Sequence, residues 1–186
     1  MCDSNLTNAY VYLLETFYFK DDTYYIICMK ETPVKIQQQI YVNIDAKEHL
    51  MRMKNLKTSG FIMKIQTVTT RSKSIIVSAV YDKDNESYKC SAISWLQITI
   101  ENFIFELGKN MTKNLVLTQI DCYSVNDEPY VSCVWVPGER KQYLQRHDVS
   151  IYGFLYELQE SVNSEVRLEK VCNYYNDGII FLLFGL

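Results

Sequence analysis

Glycine and proline are scarce in this chain, six and three among 186 residues. That excludes glycine-rich linkers and proline-rich spacers, and it leaves the turns to Asn, Asp, Ser and Lys. Histidine occurs twice, and Cys2, Cys28, Cys90, Cys122, Cys133 and Cys172 are scattered without a CxxC pair. Such spacing argues against a zinc site, and no metal or other cofactor is expected. The opening stretch MCDSNLTNAYVYLLETFYF lacks a basic region and carries Asp3 early. It therefore reads poorly as a secretory leader. Glu15 and Thr16 interrupt its apolar run, so it does not read as a membrane span either. On that reading the thiols are expected to be reduced, and the sequons at Asn5, Asn85 and Asn110 silent. The expectation is an intracellular soluble protein with no membrane contact.

Charge of one sign is lacking as well. The net charge is −3 with 22% charged residues, which removes any global basic signal for nucleic acid. What the chain has in abundance is aromatic and apolar: fifteen Tyr, eight Phe, two Trp and 48% hydrophobic residues overall. Length and composition suit one well-packed domain, 1–186, and aromatic richness favours strands. Neither an internal repeat nor a linker is read in the sequence.

Residues 10–19 and 24–29 read as two strands around KDDT, the first also compatible with a short helix. VKIQQQIYVNID (34–45) alternates like a strand, and AKEHLMRMKNLK (46–57) reads as a basic helix or long loop. From 45 to 73 there are seven Lys or Arg against Asp45 and Glu48. Two strands follow around Thr-Arg-Ser-Lys, then YDKDNESYKCSAISW (81–95), in which Asp82, Asp84 and Asn85 take the place of turn glycines. LQITIENFIFEL (96–107) has a helical stripe, with Ser94 and Gln97 read as its capping box. NLVLTQIDCYSV and YVSCVWV form a hairpin around NDEP, and a centre between Asp127 and Glu128 sets Cys122 opposite Cys133. VSIYGFLYELQES and VRLEKVCNYYNDGIIFLLFGL read as two or three more strands. Trp95 and Trp135 are both expected to be largely buried.

The order strand, strand, strand, helix, strand, strand over 58–136, with Gly60 opening the first, resembles an OB-fold. YDKDNESYKCSAISW and TQIDCYSVNDEPYVSCVWV resemble parts of the single-stranded DNA-binding OB-folds of replication protein A and the CST telomere-capping complex. This sequence departs from them in having no glycine in the acidic turn. The resemblance implies a mainly β fold: a small OB-like barrel with one helix between strands, plus extra N- and C-terminal strands. It also implies a non-enzymatic subunit of a nucleic-acid maintenance complex, nuclear, with other protein subunits as partners and single-stranded DNA as a candidate ligand.

Nucleic-acid-binding candidates are Lys64, Arg71, Lys73 and Lys89 for phosphates, with Tyr81 and Tyr88 for stacking. Equally, strand tyrosines fill cores and strand lysines guard edges. No catalytic residue is assigned. His147-Asp148 lacks a nucleophile, and Asp121, Asp127 and Glu128 lack calcium-loop spacing. The alternative function is a protein–protein adaptor, viral or structural, that never touches nucleic acid; the acidic total favours it.

Overall fold

The computed structural model describes residues 8–19, 22–33, 35–83, 93–138, 143–162, 167–173 and 180–185. The fold is mainly β. An antiparallel hairpin, β1 (Asn8–Phe19) and β2 (Asp22–Thr32), comes first. Then the same strand–helix–strand–strand unit occurs three times. Unit 1 is β3 (Gln38–Asp45), α1 (Ala46–Thr58), β4 (Phe61–Arg71) and β5 (Ser74–Lys83). Unit 2 is β6 (Ile93–Thr99), α2 (Ile100–Met111), β7 (Leu115–Val125) and β8 (Glu128–Pro137). Unit 3 is β9 (Tyr143–Val149), α3 (Ile151–Val162), β10 (Arg167–Asn173) and β11 (Ile180–Gly185). In each unit the last strand lies in the middle of a three-stranded antiparallel sheet: β3-β5-β4, β6-β8-β7 and β9-β11-β10.

The correspondence extends to irregularities. The first strand of each unit has a β-bulge in its pairing with the middle strand: Tyr41/Ile44, Trp95/Ile98 and Arg146/Val149. The second strand has another, between Met63 and Ile65, Leu117 and Gln119, and Leu168 and Lys170. Strand β1 carries the same bulge between Val11 and Leu13, which makes the hairpin a counterpart of the last two strands of a unit. Each helix opens on a side chain that accepts from the third helical N–H: Asp45 from Glu48, Thr99 from Asn102 and Ser150 from Gly153. The chain is therefore a tandem array of one supersecondary unit, contrary to the reading of an unrepeated sequence.

Several other expectations are corrected. Residues 58–136 are split between two sheets, and no hydrogen-bonded closure into a barrel is present among the described residues. VSIYGFLYELQES contains α3 where strands were read: Ser150 supplies the cap, and the segment from Tyr152 to Ser161 lacks β-branched residues. The cap of α2 is Thr99, so Ser94 and Gln97 are strand residues. The β7–β8 turn centres on Asn126 and Asp127, both with positive φ, which sets Cys122 opposite Val131 and Cys133 opposite Ile120. Cys133 is a free buried thiol, whereas Cys122 is disulfide-bonded, against the expectation of reduced thiols throughout.

The units meet through their second strands. Strand β4 lies against β1 on one side and β7 on the other, and β10 lies against β7. The contacts recur in kind: Thr16 N–H donates to Thr67 Oγ1 (3.2 Å), and Val68 N–H donates to Asp121 Oδ2 (2.8 Å). Apolar clusters fill the joints. Val11, Leu14, Ile65 and Val80 join the hairpin to unit 1, and Met63, Ala79, Tyr81 and Val134 join unit 1 to unit 2. Unit 2 has its own core around Phe103, Leu117, Ile120, Cys133 and Trp135.

Candidate interaction surface

Of the proposed nucleic-acid residues, Lys64, Arg71, Lys73 and Tyr81 lie among the described residues. Lys64 is the exposed extra residue of the β4 bulge, while Arg71 and Lys73 are exposed at the β4–β5 turn. Lys64 and Arg71 are seven positions apart along β4, roughly 23 Å at the usual strand rise. Tyr81 is buried, packed edge-on against Tyr41 with ring centroids 6.1 Å apart. Burial also pushes its hydroxyl pKa up, with the Tyr41 phenol adding to the shift. No base reaches its face. Tyr88 and Lys89 lie outside the described residues. Of the two tryptophans, Trp135 is fully buried on the middle strand near Phe103, but Trp95 is 39% exposed on the edge strand β6.

The other candidates lie elsewhere. His147 and Asp148 sit at the β9 bulge, between the paired residues Arg146 and Val149. Asp127 and Glu128 are exposed at the β7–β8 turn, away from Asp121 in the body of β7. Among the described residues no three His, Cys, Asp or Glu come together to hold a metal ion. No helix there is long and apolar enough to cross a membrane, which says nothing of membrane-crossing strands.

What the structure does bring together is a polar joint, and what it repeats is an exposed apolar position on the helices. The joint between units 1 and 2 is a relay. His49 on α1 is buried, and its Nε2 lies 2.8 Å from Gln66 Oε1. Gln66 Nε2 in turn donates to Trp95 O (3.0 Å) and Ser132 Oγ (2.7 Å) of unit 2. Burial lowers the His49 pKa, partly opposed by the Gln66 bond, so its ring is neutral. A second polar group joins β1, β4 and β7. Half-buried Asp121 has its carboxyl pushed up to about 7, by burial first and then by the nearby Glu15. The Val68, Thr67 and Gln119 hydrogen bonds act in the opposite direction. Both groups tie units together.

The repeated apolar position lies on the helices. Counting six residues from each cap reaches Met51, Phe105 and Tyr156, which are 59%, 70% and 63% exposed. Large apolar side chains thus face outward at one structural position in all three units. Leu50 on α1 and Tyr152 and Leu155 on α3 extend it. Reading the sequence element by element missed this position. Aligning the caps Asp45, Thr99 and Ser150 is the signal that finds it.

Neither a family model, nor a curated protein, nor a solved structure matches the chain. The likeness to OB-fold proteins therefore rests on sequence pattern alone.

Proposed function

We propose that the protein is a non-enzymatic repeat scaffold whose outer helical row docks a protein partner bearing an apolar strip. The observation that carries this reading is the recurrence of Met51, Phe105 and Tyr156, each more than half exposed, at equivalent places. Isolated exposed apolar residues need no explanation, but a row repeated along an array resembles the extended binding faces of repeat proteins. A photo-crosslinking side chain at Phe105 tests it. Protein adducts are expected, and their yield should fall when Met51→Lys and Tyr156→Lys are introduced into the same chain. Adducts to nucleic acid instead, or protein adducts indifferent to those changes, would refute the adaptor reading.

One observation favours a second reading, association with single-stranded nucleic acid inside a nuclear complex. Helix α1 turns Lys47, Lys54 and Lys57 outward around Met51. Positive charge interleaved with apolar surface suits a phosphate backbone. An OB-like barrel is not needed for that contact. Labelled single-stranded and duplex oligonucleotides at two salt concentrations separate the readings. Salt-sensitive single-strand binding that is lost on Lys47→Glu with Lys54→Glu supports the second.

A further inference from the structure

Each complete unit lays its first strand along the outer edge of its middle strand, antiparallel every time: β3 on β5, β6 on β8 and β9 on β11. Strand β2 holds the middle-strand place in the hairpin. Among the described residues no strand lies along its outer edge.

Side chains on the face that a unit's helix covers are also exposed there. Met29 pairs with Val11 beside the bulge as Tyr81 pairs with Met63 and Trp135 with Leu117. Tyr81 and Trp135 are buried, whereas Met29 is 62% exposed. Two residues earlier, Ala79 and Cys133 are buried, whereas Ile27 is 49% exposed. Ile26, on the opposite face, is also exposed. The hairpin's bulge is on β1, so β2 is regular, and from Thr23 to Met29 it contains neither charge nor proline. Exposed edges are ordinarily guarded by just those devices.

We propose that the outer edge of β2 is a self-association surface, where the β2 strands of two copies pair antiparallel about a twofold axis. The product is one four-stranded sheet with β1 at both margins. A second copy fits on two grounds. Antiparallel addition is the pairing that all three complete units use at this place. The strand is also self-complementary in charge. With Ile26 on the axis, Asp22 stands opposite the partner's Lys30 at both ends, and uncharged residues 23–29 meet between them. A closed twofold also covers the edge without leaving a template for open-ended growth.

Sedimentation and light scattering of the full chain test the proposal. The wild type should be a dimer, and Ile26→Lys, which sets two ammonium groups together at the axis, a monomer that still melts cooperatively but without the concentration dependence of the wild type. Phe105→Lys, on the outer helical row, should leave the dimer intact. Asp22→Lys should weaken dimerisation about tenfold by facing Lys30, and adding Lys30→Asp should restore it. That pair keeps the test valid even if Ile26→Lys fails to fold. A monomeric wild type, a dimer indifferent to both edge changes, or a foreign protein in place of the second copy would overturn the proposal.

Discussion

Units 1 and 2 build the same frame from opposed chemistry. Position for position, the buried pair His49 and Gln66 of unit 1 is matched by the buried pair Phe103 and Ile120 of unit 2. The apolar pair belongs to a continuous cluster with Leu107, Leu117, Val131 and Trp135. The polar pair instead spends its hydrogen bonds across the joint, on Trp95 O and Ser132 Oγ, and leaves His49 Nδ1 buried without a partner. Backbone pattern, caps and bulges are therefore enough to specify the unit, while the central pair decides whether a unit stabilises itself or its neighbour. Unit 2 is the self-sufficient core, and unit 1 is the coupler.

Truncating the two central helix residues probes that division most strongly. Phe103→Ala should cost about 3–5 kcal/mol, the usual range for a large side chain removed from a packed core. His49→Ala should cost distinctly less, because it removes an unsatisfied buried nitrogen together with one hydrogen bond. Chemical denaturation of both variants reads the difference directly. Equal losses would mean that unit 1 is as self-sufficient as unit 2.

Gln66→Leu comes next in size. It matches the apolar chemistry of Ile120, yet it should destabilise by about 2–3 kcal/mol, because it strips His49, Ser132 and the Trp95 carbonyl of a shared buried partner. Hydrogen exchange should rise in β6 and β8 as well as in β4. A neutral result would show that the relay does not couple the units.

Much of the frame is legible in the sequence. The two hairpins β4–β5 and β7–β8 are read from apolar runs around polar turns, α2 from its helical stripe, and α1 only as a helix or long loop. The repeat is not legible, for a physical reason. Across 39–83 and 93–137 the two units share only Ile44/Ile98, Thr58/Thr112, Val77/Val131, Ser78/Ser132 and Val80/Val134. Apolar positions keep their character but exchange identity, as at Tyr81/Trp135, and a buried polar pair replaces an apolar one. Even left-handed backbone is conserved without its residue: Gly60 (φ +75°) corresponds to Asn114 (φ +54°). Tyr81, expected to offer its face to a base, is buried for a related reason. Alternation places Tyr81 and Lys64 on strands, but it does not say which face another sheet will cover.

The two polar joints titrate with opposite signs. Burial lowers the His49 pKa from 6.5, so below that value the unfolded chain binds a proton that the folded chain refuses, and stability falls on acidification. Asp121 moves the other way, from 3.8 to about 7. Between those values the folded chain holds a proton that the unfolded chain has released, so this contribution is lost as pH rises toward 7. Asp121→Asn keeps an acceptor for Val68 N–H and removes repulsion from Glu15. It should stabilise at about pH 8 and change little at about pH 4. Stabilisation of equal size at both pH values would disprove the carboxyl's part.

The smallest effect concerns the hairpin turns, where the two units differ in how well residue type suits conformation. Ser72 and Lys73 in unit 1 have φ of 48° and 68°, and Asn126 and Asp127 in unit 2 have 52° and 66°. Both are two-residue turns with positive φ at both centres, the geometry that matches strand twist. Asn and Asp tolerate that region through local hydrogen bonding, whereas lysine meets its Cβ penalty in full. Lys73→Gly should therefore stabilise by roughly 0.5–1 kcal/mol, less than the steric relief alone, because glycine also widens the unfolded ensemble. Asp127→Gly, on a residue already suited to the place, should gain less. Thermal melts of the two variants rank the turns. A larger gain at Asp127 would show that the turn of unit 1 is held by something other than its backbone preference.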